Sequence, residues 1–296
     1  MAMGYATSET RQANGVEATY RARYRILESL TTLVAQGKTN GLLVVGDPGI
    51  SKSHTVLKTL TNLGFQEDGE YVIYRGHTSP LGLYMTLWQD QKLGSTKRII
   101  IFDDCDSALG KDGLNIVKAV LDSKERRMVS FVSSRLPSGI PTQFEFSGRI
   151  IFISNLPLAK LNEAVLDRVM VCEVKLSRKE LFDFIKCEVL DNDYLTTTLA
   201  QRAYVLRRMI AALHFSPVKP SVRLYRKLLD LWCHDRANFD LHLSSILPKN
   251  DDLHLLRNLL NSHDTIGEAG KAYQEITKKS VRSFFLIKAR YRDLLD

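Results

Sequence analysis

The stretch GLLVVGDPGISKSHTVLKTLTNLG, residues 41–64, changes its pattern twice. It begins with GLLVV, a short apolar run of the kind that forms a strand buried on both faces. The loop GDPGISKS (46–53) follows, and the remaining residues then place apolar side chains at helical spacing. A strand, a glycine-containing loop and a helix in this order are the context in which a phosphate-binding loop occurs. We therefore predict an α/β fold with such a loop at its centre.

The loop itself predicts the chemistry of its ligand. Backbone N–H groups and the positive end of the following helix hold phosphate oxygens in loops of this type. Lys52 is expected to neutralise the β and γ phosphates of ATP, and the Ser53 hydroxyl to bind Mg²⁺. The predicted nucleotide-binding residues are Gly46, Asp47, Pro48, Gly49, Ile50, Ser51, Lys52, Ser53 and His54.

One residue departs from the phosphate-loop pattern G-x-x-x-x-G-K-[ST]. Ser51 stands where the second glycine belongs. A serine is unfavourable there if its φ angle must be positive and harmless if it need not be. The alternative interpretation of the stretch is an ordinary strand-to-helix turn that carries a Lys-Ser pair by chance.

Four more short apolar runs alternate with helical segments: YVIYRG (71–76), RIIIFDD (98–104), RIIFISN (149–155) and VMVCEVK (169–175). Buried runs joined by helices predict a parallel sheet of five strands with right-handed crossovers. From residue 177 the pattern is helical to the end. We expect four segments: a polar leader at 1–16, an α/β core at 17–176, an all-α lid at 177–240 and a C-terminal helical extension at 241–296.

Composition narrows the class of protein. The chain has 296 residues, of which 44% are hydrophobic and 25% charged, as in ordinary globular proteins. It contains no apolar run long enough to span a bilayer and no signal-like start, so a cytoplasmic location without membrane attachment is expected. The four cysteines are scattered and predict reduced thiols rather than a metal site. A net charge of +8 favours polyanionic partners.

The third apolar run ends in acidic residues, RIIIFDDCDS (98–107). Asp103 and Asp104 fall at the carboxyl end of a buried strand, where ligands of open α/β sheets bind. Asp103 is expected to hold Mg²⁺ through water, and Asp104 to orient and deprotonate an attacking water. Asp106 is either a partner of these groups or a solvated residue.

At this point residues 25–235 resemble the AAA+ ATPases. The resemblance implies that Asn155, which ends the strand RIIFISN, is the sensor 1 residue. It implies that Arg168 in LNEAVLDR is an arginine finger acting on a neighbouring subunit, and that Arg223 at the start of a lid helix is sensor 2. A ring or spiral, usually of six subunits, follows from a finger that acts in trans. The alternatives are a strand-end cap for Asn155, a surface side chain for Arg168 and one more member of a basic helix for Arg223.

Residues 126–148, RRMVSFVSSRLPSGIPTQFEFSG, predict two short strands around the turn signal PSG. Their place before the sensor strand resembles the pre-sensor-1 β-hairpin superclade of AAA+ proteins, in the phage- and virus-encoded type similar to superfamily 3 helicases. The resemblance implies that Arg135 near the tip, with Arg126 and Arg127 near the base, grips a nucleic acid backbone. The alternative is an ordinary hairpin packed on the sheet.

Tyrosines and basic residues alternate at several places in the chain. YRARYR (20–25) and KARYR (288–292) are two of them, and residues 194–229 carry seven Lys or Arg with no acidic residue, with Tyr204 and Tyr225 among them. Such stretches can contact phosphates and stack on bases. They can equally face acidic partner subunits or solvent.

Together these observations predict an oligomeric ATP hydrolase that uses Mg-ATP to translocate on or remodel nucleic acid, with DNA favoured. The expected setting is phage-type replication or recombination, as a motor or a loader. One alternative is a protein-remodelling AAA+ chaperone with a protein partner. Another is a slow ATP-binding assembly switch, which Ser51 and Asp104 make plausible because a shorter carboxylate replaces the usual glutamate.

Overall fold

The computed structural model describes residues 8–92, 98–110, 112–189 and 197–295. Its internal contacts divide the chain into two units, with the boundary in the sequence between Lys175 and Leu176. This division lies one residue before the boundary predicted at 176/177. The first unit holds the sheet, and the second is helical.

Within the described residues, seven strands form two sheets: β1 (Gly41–Gly46), β2 (Tyr71–Arg75), β3 (Ile99–Asp103), β4 (Met128–Ser130), β5 (Gln143–Glu145), β6 (Arg149–Ser154) and β7 (Met170–Val174). The main sheet has the order β2-β3-β6-β1-β7, and all its strand pairs are parallel. Strands β4 and β5 pair antiparallel as a separate hairpin. The predicted five-stranded parallel α/β sheet, followed by helices, is confirmed, and each strand ends within one residue of its prediction.

The order of the strands contains a reversal of direction at the centre of the main sheet. From β1 the chain moves outward to β2, returns through β3 to β6 beside β1, and then continues to β7 on the other side of β1. Ligands of open α/β sheets bind at such a reversal, outside the carboxyl ends of the strands. The register aligns these ends, with Asp103 of β3 opposite Ile153 and Ser154 of β6 opposite Val45.

Helices of the first unit surround the sheet: α1 (Ser8–Ala35), α2 (Lys52–Asn62), α3 (Pro80–Lys92), α4 (Leu114–Val120) and α5 (Glu163–Leu166). The central strands are buried because their residues are apolar on both faces. Phe102 of β3 stacks on Phe152 of β6 with ring centroids 5.4 Å apart, and both belong to a core that includes Tyr84 of α3.

Helix α1 begins earlier than predicted. It starts at Ser8, so residues 8–16 of the predicted polar leader are helical. Residues 8–16 lack apolar periodicity, but Glu, Arg, Gln and Ala in this stretch are good helix formers. The helix ends at Ala35, and Gly37 follows with a left-handed φ of 70°.

The second unit contains the helices α6 (Arg178–Phe184), α7 (Leu199–Leu213), α8 (Val222–His234), α9 (Phe239–Ile246), α10 (Asp251–Ser262), α11 (Ile266–Thr277), α12 (Val281–Arg290) and α13 (Arg292–Leu295). Leu256, Tyr273 and Phe284 are fully buried in one of its cores. Helix α9 runs across the boundary predicted at 240/241, because Phe239 and Leu243 on the same helix are both buried. None of the helices in the described ranges is long and apolar enough to cross a membrane.

Candidate nucleotide-binding site

The loop between β1 and α2 contains three residues with positive φ angles, Gly46, Gly49 and Ser51. Gly46 and Gly49 have φ angles of 156° and 77°. A Cβ atom on Gly46 would lie 2.2 Å from the Val174 carbonyl oxygen, so no other residue fits there. Ser51 has φ 66° and ψ 21°, the left-handed conformation that its glycine counterpart would adopt freely. This conformation is unfavourable for a serine by about 1–2 kcal/mol.

Lys52 connects the loop to the neighbouring strand. Its side chain is buried, and its ammonium donates to the carbonyl oxygens of Gly46 at 2.7 Å and Asp47 at 2.9 Å. It also donates to Oδ1 of Asn155 at 2.9 Å. Burial lowers the pKa of Lys52, while the nearby carboxylates, Asp104 first, act to raise it. The result is a buried cation surrounded by acceptors at the carboxyl edge of the sheet.

Ser53 and Asp103 form the second connection. The Ser53 hydroxyl donates to Oδ1 of Asp103 at 2.8 Å, which joins the first turn of α2 to the end of β3. Arg75, at the end of β2, lies with its Nε 3.6 Å from Oδ2 of Asp103. The contact between Arg75 and Asp103 was not predicted from the sequence. The signal for Arg75 is its place as the last residue of a strand that ends at the same edge.

Asp104 also has a left-handed backbone, with φ 57°. Its N–H donates to the Ile153 carbonyl at 3.0 Å, and its Oδ1 accepts from Nδ2 of Asn155 at 2.6 Å. Asn155 therefore bridges Lys52 and Asp104, so it does more than cap the end of its strand. Aspartate tolerates this backbone region better than most residues do.

Ser154, the residue before Asn155, makes further hydrogen bonds at the end of β6. The Ser154 side chain is fully buried, and its hydroxyl donates to Oδ1 of Asp106. The same hydroxyl accepts from the N–H of Leu156 at 3.0 Å. Asp106, whose role the sequence left open, is thus a partner of the strand that carries Asn155.

These residues fit a nucleotide phosphate and its magnesium ion. The loop offers the buried ammonium of Lys52 for phosphate oxygens. The hydroxyl of Ser53 and the carboxylate of Asp103 offer oxygen ligands for the metal ion. Mg²⁺ in phosphate sites is usually held through one or two carboxylates together with the phosphates. Within the described residues, no group of three or more His, Cys, Asp and Glu is arranged to hold a metal by itself.

The cysteines are free thiols. Cys105 lies beneath the acidic end of β3, where its thiol donates to the Tyr74 carbonyl at 3.3 Å. Burial, with the nearby Asp103 and Asp104 carboxylates, raises its pKa to about 11. A thiol with this pKa stays protonated at neutral pH and is a poor nucleophile.

The two arginines proposed from the resemblance are both exposed. Arg168 follows α5 and donates from Nη1 to the Ala164 carbonyl at 2.7 Å. Arg223 lies in the first turn of α8 in the helical unit. Their roles as finger and sensor 2 remain predictions.

The predicted nucleic-acid contact of Arg127 is wrong. Its guanidinium is buried and donates to the carbonyls of Val120 and Gly148, each at 2.7 Å, and it lies over the Phe146 ring. Arg127 therefore anchors the base of the hairpin and cannot grip a nucleic acid. Arg126 is exposed and pairs with Glu145 at 2.9 Å, whereas Arg135 is exposed in the loop between β4 and β5.

Most of the tyrosines proposed for base stacking are buried, which overturns that interpretation for them. Tyr20, Tyr24 and Tyr225 have relative exposures of 0%, 7% and 1%. Their rings fill apolar cores, because a tyrosine between arginines on a helix still falls on the inner face at helical spacing. The Tyr24 hydroxyl donates to the carbonyl of Ile50, in the loop between β1 and α2, at 2.5 Å. This contact was not predicted from the sequence.

The fold and the site geometry define an α/β protein whose strand–loop–helix unit and acidic strand end meet at a topological switch point. No protein-family model matches the chain. Over 139 residues the chain is 33% identical to an uncharacterized 36.7 kDa protein encoded in the nrdC–mobD intergenic region of Enterobacteria phage T4. That alignment covers 46% of this chain and 42% of the phage protein, so the chain matches less than half the length of this relative.

The chain also has a distant similarity to solved structures. A point mutant of Thermotoga maritima RuvB matches with a TM-score of 0.46 and 11% identity, covering 90% of this chain and 84% of that chain. The Aeropyrum pernix ORC1 protein in complex with DNA matches with a TM-score of 0.45 and 12% identity, covering 93% and 83%.

Proposed function

We propose that the chain is a phage-type AAA+ ATPase that hydrolyses Mg-ATP and uses the energy to translocate on or remodel nucleic acid. One observation carries this proposal. Two hydrogen-bonded groups of side chains from three segments distant in sequence lie together at the carboxyl ends of β1, β3 and β6: Lys52–Asn155–Asp104 and Ser53–Asp103.

Each of these side chains has a defined task in the proposed reaction. The Lys52 ammonium binds the β and γ phosphate oxygens, and Ser53 with Asp103 holds Mg²⁺, which neutralises charge developing on the phosphates. The Asp104 carboxylate orients the attacking water and accepts its proton. Asn155 contacts both Lys52 and Asp104, so it can position the water relative to the γ phosphate.

A slow assembly switch is a second candidate, favoured by the geometry around Asp104. Its carboxylate is one methylene shorter than the glutamate usual in the family, and it is already hydrogen-bonded to Asn155 at 2.6 Å. Such a site would bind ATP and hydrolyse it slowly. A sharp rise in turnover in Asp104→Glu or Ser51→Gly would support this candidate.

The proposal for nucleic acid rests on the exposed Arg135 in the hairpin loop and on the net charge of +8. DNA is favoured, and assembly into a homo-oligomer, expected to be hexameric, would let Arg168 reach a neighbouring site. A protein partner in place of nucleic acid defines the chaperone alternative.

The test is the steady-state ATPase rate of the full chain over a range of protein concentrations, with and without single- or double-stranded DNA. The proposal predicts a rate that rises cooperatively with concentration and is stimulated by DNA, and Arg135→Ala should reduce the stimulation. A rate that needs self-assembly but ignores DNA would favour the chaperone. No rate above that of Lys52→Ala would contradict hydrolysis.

A further inference from the structure

The peptide groups before and after Ser51 in the predicted phosphate loop are both hydrogen-bonded. Ser51 has the left-handed φ of 66°, although it carries a side chain. The carbonyl before it, on Ile50, accepts the hydroxyl proton of Tyr24 at 2.5 Å. The carbonyl of Ser51 itself accepts from both the N–H and the hydroxyl of Thr55, each at 3.0 Å. Both peptide planes that set the Ser51 angles therefore have fixed partners.

The Tyr24 contact comes from outside the loop. Tyr24 belongs to α1, 26 residues before Ile50, and only 7% of its surface is exposed. Helix α1 packs along α2, whose first turn carries Lys52 and Ser53. A buried hydroxyl on a packed helix offers a donor whose position does not depend on the loop, whereas Thr55 moves with α2.

From this arrangement we infer that Tyr24 is a positioning residue of the nucleotide site, which holds the loop in the left-handed conformation that Ser51 would otherwise leave. The inference rests on the proposed nucleotide binding. Without the Tyr24 hydroxyl, the Ile50–Ser51 peptide is free to rotate, and Ser51 relaxes to a negative φ. The N–H groups of the loop then point away from the phosphates, and binding must restore them.

A double-mutant cycle tests this role, because glycine at position 51 adopts a positive φ without help. The variants are Tyr24→Phe, Ser51→Gly and the pair together. Tyr84→Phe is the matched control, since Tyr84 is also a buried tyrosine of the first unit and donates to a loop carbonyl, that of Pro141, at 2.7 Å. The probe is a fluorescently labelled ATP, titrated without nucleic acid.

We expect Tyr24→Phe to raise the Kd for ATP about fivefold when serine is at position 51 and by less than about twofold when glycine is there. Tyr84→Phe should leave the Kd unchanged in both backgrounds. An equal rise with serine and with glycine would show a general packing effect and overturn the inference, as would no rise with serine.

Hydrogen exchange separates this inference from the proposed function. If the wild-type chain binds ATP no better than Lys52→Ala, the proposed function fails, and the amides of residues 50–53 are then compared without nucleotide. Faster exchange in Tyr24→Phe than in Tyr84→Phe is the result that the inference requires. Equal exchange in the two variants would overturn it.

Discussion

At the residue scale, the two departures from the sequence pattern that the chain resembles share one backbone feature. Ser51 and Asp104 both have positive φ angles, 66° and 57°. The first replaces a glycine in a conformation that only glycine adopts freely. The second places an aspartate, which tolerates this conformation, where the family usually has a longer carboxylate. Ser51 therefore has the backbone conformation that a glycine would adopt in the predicted phosphate loop.

Ser51→Gly should stabilise the chain slightly and leave its chemistry nearly unchanged. Relief of the left-handed strain outweighs the extra freedom of glycine in the unfolded chain, so we expect the free energy of unfolding to rise by roughly 0.5–1 kcal/mol. ATP turnover should change by less than about twofold, because the loop already has its glycine-like shape.

The control for this substitution is Lys278→Gly. Lys278 follows the last residue of α11 in the helical unit and has the same left-handed conformation, with φ 59°. In urea denaturation, Lys278→Gly should raise the free energy of unfolding by a similar amount, with no change in ATP affinity. A loss of stability in Ser51→Gly larger than in Lys278→Gly would contradict the assignment of strain to Ser51.

At the element scale, the strands were predictable and the direction of single side chains was not. Each strand of the main sheet lies in a mostly apolar run, so its approximate bounds follow from the sequence. Arg126 and Arg127 look alike in the sequence, yet one is exposed and the other is buried against Phe146. Their directions depend on where the hairpin leaves the sheet. The Tyr24–Ile50 contact likewise depends on how α1 packs, which no local pattern records.

The two hairpin arginines should differ strongly in their effect on stability. Arg127→Ala leaves the carbonyls of Val120 and Gly148 buried without this donor, so we expect a loss of about 2–4 kcal/mol in the free energy of unfolding. Arg126→Ala removes an exposed ion pair and should change it by less than about 0.5 kcal/mol. Urea denaturation of both variants measures the difference. Similar losses for the two would argue against Arg127 as the anchor of the hairpin.

At the scale of the whole molecule, the sequence predicted a sheet-containing unit followed by a helical one, and the contacts divide the chain one residue from the expected position. The predicted oligomer cannot be derived from local sequence patterns, because the proposed arginine finger would have a function only across an interface. The exposed position of Arg168 after α5 is compatible with such a role.

Mixing two inactive variants tests whether sites are shared between subunits. Arg168→Ala should bind ATP but not hydrolyse it, and Asp104→Ala should behave likewise because it lacks the base. In a mixture, some interfaces combine an intact Arg168 with an intact Asp104, so part of the ATPase rate should return. A mixture as inactive as its two parents would argue against a finger that acts in trans.

The central claim is that Lys52 lies at a nucleotide phosphate site, and titration of labelled ATP against Lys52→Ala and Lys58→Ala tests it most directly. Lys58 is an exposed lysine on the same helix, α2, so the two variants lose the same charge from one element. We predict that Lys58→Ala binds ATP like the wild type and that Lys52→Ala loses at least about tenfold in affinity, because a charge-assisted hydrogen bond is removed. Equal affinity of the two variants would contradict the account.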